Sequence, residues 1–189
     1  LAVQRRSANG LSINANYTLS RCMGTPTALT FNQASAGYQK PEDPSFDAGY
    51  CDQDRKHLSS VTLGYETPEV ANAVVRMVAS GWRLSGNLTA RSGNRLNILS
   101  GMDNAFTGIT LQRPNQVSDD LYGEQSLTNY FNRAAFAQPT PGTLGNLIRN
   151  AVNGPAFWNI NLALSKVVAG GGARRLELRL ESFNLLNHF

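Results

Sequence analysis

The sequence predicts an all-β chain: an open set of antiparallel, amphipathic strands of the kind that form a transmembrane β-barrel, joined by long external loops. Three observations carry this. Several segments of about ten residues alternate apolar and polar side chains, which is the period of a strand and the length a tilted strand needs to cross a bilayer. Only 16% of the residues are charged, against about a quarter in ordinary globular chains, and Gly, Asn, Ser and Thr fill the gap, as suits a wet but mostly uncharged interior. The connections between the segments also alternate between short and long.

The clearest segment is Ala156 to Leu186. Trp158, Ile160, Leu162 and Leu164 fall on one side of its first arm, with Asn159, Asn161, Ala163 and Ser165 on the other. Gly170-Gly171-Gly172 follows, and glycine tolerates the positive φ of a tight reversal. The second arm sets Leu176, Leu178 and Leu180 against Glu177, Arg179 and Glu181. If both apolar sets share a face, paired residue numbers must have an even sum, as when Leu164 lies opposite Leu178 and Leu162 opposite Leu180. Such a hairpin fits a soluble sandwich, whose apolar face packs on a core, or an outer-membrane barrel, whose apolar face meets lipid.

From the N-terminus, Leu1 to Arg6 reads as the tail of a strand, and Ser7-Ala8-Asn9-Gly10 as a hairpin turn. Leu11 to Ser20 is the next strand, with Leu11, Ile13, Ala15, Tyr17 and Leu19 opposed to Ser12, Asn14, Asn16, Thr18 and Ser20. Arg21 to Asp54 has no usable period, is punctuated by Pro and Gly, and reads as a long loop. Arg55 to Glu66 is a strand. Glu69 to Ala79 reads as a short helix with Val70, Val74, Met77 and Val78 on one stripe. Trp82 to Arg91 is a strand with Trp82, Leu84 and Leu88 facing one way and Arg83, Asn87 and Arg91 the other. Ser92 to Gly154 is long and irregular, with room for a short strand at Leu96 to Leu99.

If the strands run up and down in chain order, both tight turns and the short helix lie at one end and both long loops at the other. Outer-membrane barrels sort their loops this way, and a soluble sandwich has no reason to. Lipid-facing candidates are then Leu11, Ile13, Tyr17, Trp82, Leu84, Leu88, Trp158, Ile160, Leu162, Leu164, Leu176, Leu178 and Leu180. Lumen-facing candidates are Asn14, Asn16, Thr18, Arg83, Asn87, Arg91, Asn159, Asn161, Glu177, Arg179 and Glu181. For any one of these the plain role is solvated wall, and the sharper one is part of a substrate path.

The net charge of +4 comes mostly from scattered arginines, with no basic stripe interleaved with aromatics, which argues against nucleic-acid binding. Cys22 and Cys51 lie in one polar loop-like segment without metal-ligand spacing. They are expected to close that loop as a disulfide, the alternative being two free thiols. His57 and His188 lack ligand spacing and read as structural. Asp103-Asn104 and Asp119-Asp120 read as turn residues rather than a cation loop. The glycine triplet is no phosphate loop, and no Ser sits in a nucleophile elbow. The chain is expected to be no enzyme and to need no cofactor. It shows no signal peptide or apolar helix of spanning length, and it starts in apparent mid-strand, so an internal fragment is expected.

A series of short strings carries a further resemblance: Gly81-Trp82-Arg83-Leu84-Ser85-Gly86 with Arg91-Ser92-Gly93, then Ser100-Gly101-Met102-Asp103-Asn104 and Gln112-Arg113-Pro114-Asn115. Next come Tyr130-Phe131-Asn132 with Ala135-Phe136, and Gly142-Thr143-Leu144-Gly145-Asn146 with Arg149-Asn150 and Gly154-Pro155. Asn159 to Lys166 and Arg179 to His188 complete it. In this order they resemble the barrel region of TonB-dependent transporters of the Oar-like, carboxypeptidase-regulatory-like type. The resemblance implies that residues 1–189 are part of a single outer-membrane barrel domain of about 22 strands. It implies that the plug, signal peptide and remaining strands lie outside this chain. It also implies an outer-membrane lipid environment, energy from TonB through an upstream segment, and an unidentified substrate bound at the cell surface and passed through a plugged barrel. The alternatives are a secreted or surface β-sandwich that binds glycan or protein through its long loops, and a passive porin.

Overall fold

A computed structural model describes residues 1–25, 38–169 and 175–187. The chain forms two compact units. The wall unit comprises Leu1–Leu19, Lys56–Ser92 and Ala156–Phe189, and the loop unit comprises Ser20–Arg55 and Gly93–Pro155.

The wall unit is a six-stranded antiparallel sheet whose strands lie side by side in chain order. They are β1 (Ala2–Ala8), β2 (Leu11–Leu19), β3 (His57–Glu66), β4 (Trp82–Arg91), β5 (Phe157–Ala169) and β6 (Arg175–Ser182). The short connections share one end and the long ones leave from the other, the sorting expected from the sequence. The β1–β2 turn is Asn9-Gly10, with φ of 54° and 81°, the pair of left-handed residues that matches strand twist in a two-residue hairpin. Gly10 is needed twice over, because a Cβ there would also stand 2.1 Å from the carbonyl oxygen of Glu66 on β3.

The register lines up the alternation across the whole sheet. One row runs Ile13, Leu63, Gly86, Leu162, and the next runs Ala15, Val61, Leu88, Ile160. Towards the long-loop end, Tyr17, Ser59, Ala90 and Trp158 share a row; towards the short-turn end, Leu11, Tyr65, Leu84, Leu164 and Leu180 do. Gly86 leaves room for Leu162, whose methyl would lie 2.8 Å from a Cβ at position 86.

Three expectations need correction. In the β5–β6 hairpin the parity is as required, but Leu164 faces Leu180 and Leu162 faces Ser182, a shift of two residues from the expected pairing. Parity follows from which face is apolar, whereas the absolute register follows from how the chain reverses. Gly170-Gly171-Gly172 lies outside the described residues. The helix, α1, covers Ala73–Ala79 rather than starting at Glu69, because Asn72 caps it by accepting from the amides of Val74 and Val75. The short strand near Leu96 is limited to Arg95–Leu96, since its partner, Val152–Asn153, is only as long.

The apolar face of the sheet carries no second layer among the described residues of the wall unit. Leu164, Leu178 and Leu180 are 39%, 58% and 72% exposed, and the buried hydrophobic residues Ala135, Leu147 and Val152 all belong to the loop unit. A sandwich would bury that face against a second sheet, and the described residues of the wall unit form one sheet only.

The loop unit has little regular structure but a dense set of specific contacts. Met23–Gly24 pairs with Gly49–Tyr50, and Asn115–Gln116 pairs with Phe136–Ala137. Single turns of 3-10 helix run over Pro44–Asp47 and Arg133–Ala135.

Candidate functional site

The polar face of the wall is built from rows set by the same register. Asn14, Thr62, Asn87 and Asn161 form one row, with Gln4 beyond Asn14 on β1. Asn16, Ser60, Thr89 and Asn159 form the next. Neighbouring side chains bond to one another: the Asn16 amide donates to Asn14 Oδ1 (3.2 Å), and Thr89 donates to Asn87 Oδ1 (3.1 Å). The amide of Asn184 donates to Asn161 Oδ1 (2.9 Å), extending this row past β5.

Charge gathers towards the short-turn end. Arg83 pairs with Glu66 on the neighbouring strand (2.6 Å), and Arg179 with Glu181 along β6 (2.6 Å), all on exposed side chains. Glu177 lies across from Val167. At the long-loop end Thr18 faces Leu58, and Arg91 stands 4.8 Å from the ring centroid of Phe157, so this row mixes polar and apolar groups. All the lumen-facing candidates lie on this face, and all the lipid-facing candidates lie on the other. Sequence reading did not assign Ser60, Thr62, Glu66 and Thr89 to a site, although the same alternation places them. A shallow depression of about 270 Å³ on this face is lined by Thr62, Asn87, Asn161, Arg179, Glu181 and Phe183, among others.

The loop unit contains what sequence reading missed. Arg113 and Asp47, both almost fully buried, form an ion pair of 2.5 Å. Arg113 also donates to the carbonyls of Leu147 (2.7 Å) and Phe46 (3.0 Å), and Asp47 accepts from the Gln39 amide (2.8 Å), so each charge is hydrogen-bonded beyond its partner. Arg95 pairs with Asp54 (2.8 Å) and stacks 3.4 Å from the centre of the Tyr50 ring. Arg149 contacts both oxygens of Asp52 at 2.8 Å, and Asn150 donates to Asp52 and to the Tyr50 carbonyl. Cys22 and Cys51 form a disulfide, and the Cys51 amide donates to the Cys22 carbonyl (3.1 Å). Arg113 and Arg149 sit inside two of the strings singled out in the sequence, a signal that could have drawn attention to them.

Four groups of this unit are shifted from their ordinary pKa values, and at Asp43 the hydrogen bond from the Ser45 side chain and the charge of Lys40 hold the carboxyl below the usual carboxylate value. Burial pushes the Asp54 carboxyl up, but hydrogen bonds from Arg95 and the Cys22 amide, with the charges of Arg95 and Arg21, outweigh it and hold the carboxyl below the usual carboxylate value. Burial likewise raises Asp103, and bonds from the Thr107 and Gly108 amides and from Gln112 and Thr107 side chains bring it below that value. Burial beside Tyr122 raises the Tyr130 phenol.

Asp103 therefore organises its own loop, as its amide acceptances at 2.9 and 2.7 Å show. His57 Nδ1 lies 2.7 Å from the Tyr17 hydroxyl, while His188 lies outside the described residues. Among the described residues, no His, Cys, Asp and Glu side chains cluster so as to hold a metal ion, and no helix is long and apolar enough to cross a membrane.

The family model described as outer membrane beta barrel domain matches residues 1–189. Neither the curated proteins nor the solved structures hold a match to the chain. An antiparallel meander with one apolar and one amide-rich face, matched over its whole length by that model, belongs to the outer membrane β-barrel domain family, and its place is the outer membrane of a Gram-negative bacterium.

Proposed function

We propose that this chain is part of a TonB-dependent receptor that binds a substrate at the cell surface and passes it through a plugged barrel. It acts as a transporter wall and not as an enzyme. Its partners are outer-membrane lipid, the substrate, and TonB through an upstream segment.

The dimensions support a spanning wall. Trp82 and Ala90, the latter level with Tyr17 and Trp158, are eight residues apart on β4. That is roughly 27 Å along a strand, or roughly 21 Å of height at a tilt of about 40°. The apolar band of a barrel is about 25 Å tall with aromatic residues at both margins.

The observation that carries the transporter reading is where the ordered strings fall. Arg113 of Gln112–Asn115 holds the buried ion pair, and Asn132 of Tyr130–Asn132 caps a 3-10 turn. Arg149-Asn150 grips Asp52. The strings mark the joints of a folded loop unit. A receptor that must hold a substrate before passage needs such folded external loops, whereas a passive pore needs only a lumen.

The test is conductance of the full-length protein in planar lipid bilayers. A plugged receptor is expected to stay closed and to open only when the segment upstream of Leu1 is removed. Steady open-channel current through the intact protein rejects the proposal in favour of a passive porin.

A further inference from the structure

Helix α1 carries an apolar stripe that is left uncovered among the described residues. Val74, Met77 and Val78 are 75%, 74% and 69% exposed, and no residue of the helix is buried. Helical spacing puts these three on one side, with Arg76, the one charged residue of Ala73–Ala79, on the opposite side. By its pattern this stripe should pack on a core.

The end of the helix is fastened to a definite side of the wall. Trp82 and Lys166 are register partners on the apolar face, in line with Leu84 and Leu164. The Trp82 indole donates to the Val78 carbonyl at 2.7 Å. Lys166 donates to the same carbonyl at 3.1 Å and to the carbonyl of Ser80, and its ammonium stands 5.0 Å from the centre of the Trp82 ring. Lys166 is the charged residue that interrupts the apolar alternation of β5. Its charge is met by the open carbonyls at the C-terminus of α1, where a cation is favoured. Ser80 then locks the connection by donating to the Pro68 carbonyl (2.9 Å) and accepting from the Val70 amide (3.1 Å).

We infer that α1 is an interfacial membrane element. It lies at the short-turn rim, outside the wall, with Val74, Met77 and Val78 in the boundary between phospholipid headgroups and acyl chains. The end of the helix is fastened to the apolar face and its stripe is exposed, so the surroundings that meet Leu164 reach the helix as well, and an apolar stripe opposite Arg76 suits a helix lying in an interface with its charge towards water. This rests on the reading that the apolar face meets lipid.

The experiment uses the full-length protein in bilayers containing brominated phospholipids, with the Cys22–Cys51 disulfide left oxidised. A polarity-sensitive fluorophore is attached at Met77→Cys, at Arg76→Cys, at Leu164→Cys on the wall, and at Asn87→Cys on the polar face. The expected result is loss of fluorescence at 77 with bromines near the headgroups, loss at 164 with bromines deeper in the chains, and little at 76 or 87. Quenching at 164 without quenching at 77 overturns the role of α1 and leaves the lipid-facing wall intact. Equal quenching at 76 and 77 overturns the facing of the helix. Absence of quenching at both 77 and 164 overturns the underlying reading as well.

Discussion

At the scale of single residues, the two kinds of ion pair in this chain should behave differently. Arg113 and Asp47 are buried and mutually committed, so removing one leaves an uncompensated charge in the protein interior at a cost of about 3–5 kcal/mol. Arg83 and Glu66 are more than half exposed, and such pairs contribute about 0–1 kcal/mol. Arg113→Met should therefore open the loop unit to proteases under conditions where Arg83→Met leaves it resistant. Limited proteolysis of the full protein in outer membranes reads the difference, and equal resistance of the two variants would count against the buried pair as a joint. Asp54 adds a pH dependence. Its folded carboxyl titrates below the ordinary value of 3.8, so it contributes stability that is present above that value and lost as the pH falls through the folded pKa. The loop unit should become protease-sensitive on acidification below about pH 4, as followed with an acid-active protease. Asp54→Asn should be weaker at neutral pH and should show a flatter acid response.

At the scale of elements, a strand's two faces meet different solvents, and neighbouring residues of β5 can report this. Leu162→Arg puts a charge on the apolar face, in the middle rows of the sheet, where the cost in a barrel is about 2–4 kcal/mol. Asn161→Arg puts the same charge on the amide-rich face, one residue away. Assembly, measured as heat-modifiable folded protein in outer-membrane fractions, should fall for the first and stay near normal for the second. The alternation that separates the two was legible in the sequence, because side-chain direction in a strand depends only on counting. The helix was only half legible. Its stripe is plain in the sequence, but its start was set by the Asn72 side chain, and its surroundings by Lys166 and Trp82, one of them distant in the chain.

At the scale of the whole molecule, the two units are held by different means. The wall relies on backbone pairing and on its two solvents. The loop unit relies on a small core, buried ion pairs and a disulfide between residues 29 apart, a cross-link that contributes about 3–4 kcal/mol in the chain-entropy model. Changing both Cys22 and Cys51 to Ser should therefore loosen the loop unit while the wall still assembles. The expected pattern is heat-modifiable protein at normal yield with new cleavage sites within 20–55 or 93–155. Loss of assembly together with the loops would show that the units are not independent in this sense.

The sequence by itself determined the strands, their faces, the Asn9-Gly10 turn and the sorting of long and short connections. All of these follow from a period of two and from local turn chemistry, which the chain cannot hide. Tertiary structure alone decided the register that sets Leu164 opposite Leu180, the burial of Arg113 against Asp47, and the fastening of α1 to the apolar face. Asp47 and Arg113 are 66 residues apart, and Lys166 reaches Val78 across 88. Such contacts depend on where distant backbone has already been placed, and no local pattern of residues encodes that.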